Sequence, residues 1–123
     1  MPEANVIRLQ VAGDEDTDAE RVAELASRLR AELLELDVER VDHPRAAPPP
    51  PGAKGAALEW ASLAVTFAGA VPGLLSVMQG WLGRHEGCSI TLSVGGDALT
   101  LDDLSRTERD QMAHTWLRKH GLE

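Results

Sequence analysis

The sequence predicts a small α+β fold: a two-layer sandwich in which a mainly antiparallel sheet of about four strands carries helices on one face. Three observations lead to this fold class. Apolar residues alternate with polar ones in two regions, they recur every three or four positions in two others, and the regular strand–helix alternation of a parallel fold is missing. A length of 123 residues predicts a single domain over residues 1–123.

Charge and cysteine content exclude several classes of function. The chain contains 20 acidic and 12 basic residues, and its formal net charge of −8 argues against a nucleic-acid partner, whose phosphates it would repel. A single cysteine, Cys88, rules out an internal disulfide and indicates a reducing compartment. The charged start of the chain shows no apolar signal-peptide core, so we expect a cytoplasmic protein.

The first strand and the first helix follow from residue spacing. Residues 5–12 alternate apolar and polar side chains, which predicts a half-buried strand. Thr17 and Glu20 have the spacing of a capping box, in which a hydroxyl and a carboxylate satisfy the free amides at a helix start. The apolar stripe that follows predicts a helix that ends near Leu36.

A short edge strand and a loop are predicted next. Residues 37–43 contain Val38 and Val41 among many charges, which is typical of an edge strand. Residues 44–57 include four consecutive prolines, which favour polyproline II and cannot donate backbone hydrogen bonds to a sheet. We therefore expect a stiff, Pro-rich surface loop at 44–57.

The longest stretch without a charged side chain covers residues 60–83. Pro72 predicts a break near residues 69–70, so the second half is expected to be a helix that begins near Pro72 and ends near Arg84. The first half, residues 58–68, fits either a helix or a buried strand, and the spacing leaves both possibilities open.

The second half of this stretch carries a candidate interface. A helix that is apolar on most sides needs more cover than one side of a thin sheet provides, so we expect part of it to contact a second copy or a partner. Tryptophan is enriched at the centre of interfaces, which makes Trp81 the expected anchor. The candidate interface consists of Leu74, Leu75, Met78, Trp81 and Leu82.

A hairpin and a last helix complete the predicted fold. Residues 89–101 alternate around Gly95 and Gly96, which suit the positive backbone angles of a tight turn. Ser105 and Glu108 repeat the capping-box spacing before a final helix. The apolar stripe of that helix consists of Met112, Ala113, Trp116 and Leu117.

No residue pattern predicts a catalytic, metal or cofactor site. The acidic run at residues 14–18 lacks the Gly and Glu that a calcium loop needs at its sixth and twelfth positions. His114 and His120 would lie on nearly opposite sides of a helix, so they cannot share a metal there. Cys88 has no sequence-evident group to activate it. We therefore expect neither an enzyme nor a cofactor.

Four motifs follow one another in the second half of the chain: GAKG at 52–55, WLGR at 81–84, ITLSVGGDALTL at 90–101, and S-x-x-E-x-x-x-M-x-x-x-W at 105–116 with a final R-K-H. In this order they resemble the effector-associated constant component family of bacterial NTP-dependent conflict systems, over residues 37–120. The resemblance implies a small α+β companion encoded beside or fused to an effector, and it carries over no catalytic residue.

The function that the resemblance implies is a non-enzymatic adaptor or regulatory module. It would couple sensing to an effector, such as a caspase-like or trypsin-like peptidase, with that peptidase or an NTPase encoded nearby as partner. The apolar stripe adds a homo-oligomer to these expectations. Two alternatives stay open: a membrane-perturbing component acting through residues 60–83, although a membrane partner is not the main expectation, and a small enzyme. The enzyme would need a pocket that joins Cys88 or a carboxylate to a histidine.

Overall fold

The computed structural model describes residues 5–14, 16–48, 59–69, 71, 73–85, 87–101 and 106–122. Within these ranges the chain forms three helices and six strands, which confirms the α+β class with more strands than the sequence indicated. In chain order they are β1 (Asn5–Ala12), α1 (Ala19–Leu33), β2 (Arg40–Val41), β3 (Arg45–Ala47), β4 (Trp60–Phe67), α2 (Leu74–Arg84), β5 (Ser89–Val94), β6 (Asp97–Leu101) and α3 (Arg106–Lys119).

The six strands form one antiparallel sheet. Their order is β2-β4-β1-β5-β6, and β3 also pairs with β4. Because β1 occupies the other side of β4, the short strands β2 and β3 follow one another along the same edge. In the described part of the chain, β6 forms the opposite edge.

The core lies between one face of the sheet and the helices. Leu9 of β1 is fully buried and pairs with Leu63 of β4 and Leu92 of β5 on this face. The helices contribute to the same cluster of buried residues: Val22, Leu25, Leu29 and Leu33 from α1, Leu74, Met78 and Trp81 from α2, and Ala113 and Leu117 from α3. The helices therefore cover one face of the sheet, as the sequence predicted.

The uncharged stretch at residues 60–83 folds as a strand and a helix that both enter the core. It leaves the sheet after Phe67 and becomes helical at Leu74, which confirms the predicted break. The ambiguous segment 58–68 contains strand β4, not a helix. Gly73 precedes α2 with a φ of +87°, a left-handed conformation that only glycine adopts without steric cost. Among the helices of the described ranges, none is long and apolar enough to cross a membrane.

The predicted capping box of α1 is wrong by one residue. Asp18, not Thr17, is the N-cap, and its carboxylate accepts a hydrogen bond from the Arg21 amide at 2.8 Å. The Thr17 hydroxyl instead donates to the Asp14 carboxylate at 2.8 Å and stabilises the turn after β1. Aspartate caps a helix at least as well as threonine, so spacing alone did not separate the two residues.

The segment after α1 also differs from the sequence prediction. α1 ends at Leu33 instead of near Leu36, and the strand predicted over 37–43 is reduced to the two residues of β2. The start of the predicted Pro-rich loop is wrong, because residues 45–47 pair with β4 as β3. None of these three residues is proline, so their amides are able to enter a sheet. Residues 49–57 of the predicted loop lie outside the described residues.

The predicted hairpin is confirmed, and the last helix differs in one position. Val94 pairs with Asp97 across the turn, where Gly95 has a φ of +61°. The proposed cap of α3 at Ser105 lies outside the described residues. Met112, which the sequence placed in the buried stripe, is 42% exposed because it lies at the margin of the helix face that packs on the core.

Candidate interaction surface

The five apolar residues of the predicted interface lie inside the chain's own core. Trp81 and Met78 have no exposed surface, and Leu74, Leu75 and Leu82 are 8% exposed or less. An interface was expected at this helix because one side of a thin sheet alone gives it too little cover. In the structure α1 and α3 supply the missing cover, because both pack against α2.

Trp81 connects helix α2 to helix α1. Its indole N–H donates to the Leu25 carbonyl of α1 at 3.2 Å, and its ring centroid lies 4.9 Å from that of His85. Burial lowers the pKa of His85, and the neighbouring Arg84 guanidinium lowers it further. A partner contact through Trp81 would require α2 to leave the core, which would expose its buried side chains to water. An interface through this helix stays a prediction, and it would have to offset the free energy of that exposure.

A surface cavity of about 200 Å³ lies between the start of α2 and α3. Gln79 of α2 donates to Asp110 Oδ1 of α3 at 2.7 Å, and Ser76 and His114 also line the cavity. The carboxylate of Asp110 and the imidazole of His114 therefore both line this cavity. The two residues are four positions apart on one helix, a spacing that places them on the same face and could have revealed the pair from the sequence. Cys88 is buried in the core instead. Within the described ranges, no group of three or more His, Cys, Asp or Glu side chains could hold a metal ion.

A cluster of charged side chains connects α3 to the hairpin. Oδ2 of Asp97 accepts hydrogen bonds from His120 Nε2 at 2.7 Å and from Lys119 Nζ at 3.2 Å. The His120 ring also packs on Trp116, with 4.5 Å between the ring centroids. The hydrogen bond from His120, followed by that from Lys119, lowers the pKa of Asp97. The end of α3 is thereby fixed beside the start of β6.

The edge formed by β2 and β3 is short, interrupted and covered. The two strands contain two and three residues. Nε of Arg30 in α1 donates to the Val41 carbonyl at 2.9 Å. A helix side chain therefore satisfies a backbone acceptor that another strand would otherwise use. Arg40 and Asp42 place an ion pair along it, with 2.8 Å between nitrogen and oxygen. Interruption, charge and cover are the features that keep a sheet edge from pairing with other chains.

The opposite edge has a different character in the described part of the chain. β6 is one uninterrupted strand, and its single charged residue, Asp97, is bound by α3. No described strand pairs with its outer side. Ala98 and Thr100 are exposed, and Leu99 is half-buried. This edge is therefore the described surface best suited to contact another protein chain.

The face of the sheet opposite the helices is polar and only partly exposed. Arg8 is exposed near its centre, whereas Gln10 is largely buried and donates to the Pro48 carbonyl at 3.2 Å. In the half-buried strand that the sequence predicts over residues 5–12, this polar face would be exposed to solvent, so the burial of Gln10 differs from that expectation. Trp60 is 5% exposed on this face, and its indole N–H has no hydrogen-bond partner among the described residues.

Comparison with known proteins identifies the family of the chain. No curated protein and no solved structure matched it. One family model matched residues 12–119, a range that runs from the last residue of β1 to the last residue of α3. The match confirms the resemblance carried by the motifs of the second half and extends it to α1. The chain belongs to the family Effector Associated Constant Component 1, a group of effector-associated modules of conflict systems.

Proposed function

We propose that the chain is a non-enzymatic adaptor or regulatory module that couples sensing to an effector through protein–protein contacts. The observation that carries this proposal is the family match over residues 12–119, which associates the chain with effectors. A caspase-like or trypsin-like peptidase, or an NTPase encoded nearby, is the partner that the resemblance implies. A cytoplasmic location and the formation of a homo-oligomer belong to the same proposal.

The use of the described polar side chains supports a non-catalytic role. Asp97 connects the hairpin to α3, and the Trp81 indole connects α2 to α1. Gln79 connects α2 to α3 through Asp110. Contacts of this kind fix the elements relative to one another, and a pre-formed surface loses less conformational freedom when a partner binds.

The first test of the proposal is retention of candidate partners by the tagged full chain. The preys are the peptidase and the NTPase encoded beside its gene, offered with and without nucleotide. We expect at least one of them to be retained in a nucleotide-dependent manner. An unrelated acidic protein of similar size serves as control bait, because it reproduces the net charge of −8 without the fold. Retention of neither prey above this control contradicts the proposal.

The cavity between α2 and α3 gives a small enzyme as second candidate function. A carboxylate, an imidazole and a hydroxyl are the groups of acid–base and nucleophilic catalysis. Ser76→Ala and His114→Ala separate the two functions, with Ser27→Ala on the exposed side of α1 as matched control. An adaptor activates its effector equally well in all three variants. Loss of activation in the first two, with effector binding retained, would favour the enzyme.

The membrane-perturbing alternative requires a large rearrangement. β4 and α2, which contain most of residues 60–83, contribute their apolar side chains to the core. Flotation of the full chain with lipid vesicles measures membrane binding directly. We expect the chain to stay in the dense fraction, and co-flotation would favour the membrane alternative.

A further inference from the structure

The hairpin geometry determines which backbone groups of β6 face outward. Val94 and Asp97 close a two-residue turn, and the φ of +61° at Gly95 suits the first position of a type II′ turn. The closing pair of such a hairpin is hydrogen-bonded, and bonded and non-bonded pairs then alternate along it. Ala98 and Thr100 belong to non-bonded pairs, so their N–H and C=O groups point away from β5.

The side chains at Thr91 and Thr100 support this assignment. Residues of a non-bonded pair approach one another more closely than those of a bonded pair. The two threonine hydroxyls lie 3.0 Å apart across β5 and β6, within hydrogen-bond distance. In the described ranges no strand takes up the outward backbone groups of Ala98 and Thr100.

The outward N–H and C=O groups of Ala98 and Thr100 are able to form hydrogen bonds with the same groups of a second copy of β6. A two-fold axis through Leu99 places Ala98 of each copy beside Thr100 of the other, and Leu99 opposite Leu99. Among the antiparallel registers that join outward groups, this one overlaps the whole of Asp97–Leu101. We propose that β6 pairs antiparallel with β6 of a second copy, so that the two sheets become one continuous sheet across a dimer.

Apolar side chains beside the edge favour this pairing. Leu99 packs only partly against the core of its own chain, and Met112 of α3 is 42% exposed. Met112 precedes Trp116 by one helical turn and His120 by two, and this row of α3 faces β6 because His120 binds Asp97. A second copy at the edge covers Leu99 and approaches Met112.

Within β6 itself, charge does not oppose this pairing. The net charge of −8 opposes contact between two copies in general. At β6 the carboxylate of Asp97 is already paired with Lys119 and His120, so the residues 97–101 of two copies meet without an unpaired carboxylate among them. Salt screens the remaining repulsion, and dimerisation therefore strengthens as ionic strength rises.

The first experiment measures the dimer dissociation constant of the full chain by sedimentation equilibrium, at low and high salt. Ala98→Pro removes one outward N–H and leaves the hydrogen-bonded pairs with β5 in place. We expect it to raise the dissociation constant about tenfold or more. Ala98→Val is the matched control, because it keeps the N–H, and we expect its dissociation constant to stay within about threefold of the unmodified chain.

The second experiment tests the register. Leu99→Cys places two thiols opposite one another in the dimer, within the distance of a disulfide. Oxidised glutathione supplies the oxidant: the two thiols form a disulfide, and the glutathione disulfide takes up the two electrons and two protons to become two thiols. We expect a cross-linked dimer from Leu99→Cys and none from Ala31→Cys on the exposed side of α1.

A chain that stays monomeric at every concentration and salt overturns the proposal. So does a dimer whose dissociation constant is unaffected by Ala98→Pro, or one in which Leu99→Cys forms no cross-link. The Leu99→Cys result decides the matter if Ala98→Pro proves to be unfolded by circular dichroism. This dimer rests on the homo-oligomer of the proposed function and gives it an interface, and it is independent of the effector partnership, which the retention assay measures separately.

Discussion

At one edge of the sheet a helix side chain covers the backbone, and at the other edge no described strand or helix side chain does so. Arg30 of α1 donates to the Val41 carbonyl, and strand pairing along β4 is interrupted between Val41 and Arg45. Along β6, Ala98 and Thr100 present backbone groups that no described strand takes up. Both edges belong to one antiparallel sheet, so the difference comes from the adjoining helices and charges and not from the strands alone.

The helices beside the two edges are also held differently. α1 has its own N-cap at Asp18, and its fully buried Leu29 lies in the middle of the apolar stripe. α3 is fixed at its C-terminal end by a half-buried cluster around Asp97. We therefore expect the stability of the covered edge to depend on burial and that of the open edge to depend on charge. The first three predictions below test this contrast, and the fourth concerns the end of α2.

The largest effect is expected at the helix that covers the β2–β3 edge. Leu29→Ala removes a fully buried side chain from α1 and leaves a cavity, which costs about 2–5 kcal/mol of unfolding free energy. Denaturant unfolding measures this cost. Arg28→Ala, on the exposed side of the same helix, is the control. Equal midpoints for the two variants would mean that α1 does not hold this side of the core.

The second effect concerns the backbone cover itself. Arg30→Met keeps much of the apolar stem but leaves the Val41 carbonyl without its donor, which costs about 0.5–1.5 kcal/mol. Arg40→Met breaks only an exposed ion pair, so it costs about 0–1 kcal/mol. If Arg40→Met lowers the unfolding free energy more than Arg30→Met does, the cover at this edge has been assigned to the wrong arginine.

The third effect appears at the open edge and depends on pH. The pKa of Asp97 is lowered below its ordinary value of 3.8 by His120 and then Lys119. Its contribution to stability is therefore fully present above that ordinary value and is lost as the pH falls through the lowered folded-state pKa. At neutral pH the unmodified protein should have a higher melting temperature than Asp97→Asn. The difference between the two melting temperatures should shrink as the pH falls into the acid range. A gap that is independent of pH would contradict an electrostatic attachment of α3.

The smallest effect is expected at His85, which follows the last residue of α2. Burial, and then Arg84, lower its pKa below the ordinary 6.5, so the unfolded chain binds a proton before the folded chain does. This contribution to stability is present above 6.5 and falls as the pH drops toward the folded-state value. His85→Gln should flatten the pH dependence of the melting temperature between neutral and mildly acidic conditions. An unchanged slope would show that His85 does not titrate differently on folding.

Local patterns predicted the parts of the fold that depend on neighbouring residues in the chain. The alternation over residues 5–12 corresponds to β1, and the Gly95–Gly96 pair lies at the turn between β5 and β6. The break between Phe67 and Leu74 was equally visible, because proline and glycine interrupt regular structure wherever they occur.

The sequence did not reveal features that depend on distant contacts. β3 forms only because β4 offers an edge to residues 45–47, whose own composition favours no strand. The apolar stripe around Trp81 suggested an interface because the cover from α1 and α3 cannot be read from spacing. The open edge of β6 was missed for the same reason, since strand order is a property of the whole sheet.

The central position of β1 affects how the chain folds during synthesis. β1 is made before its two neighbours, β4 and β5, which begin only at Trp60 and Ser89. Ile7, Leu9 and Val11 therefore leave the ribosome long before the strands that pair with them exist. Pairing between segments so far apart in sequence slows folding, and an apolar strand that waits for its partners is prone to aggregate. The sheet around β1 is therefore complete only after residue 94, the last residue of β5, has been synthesised.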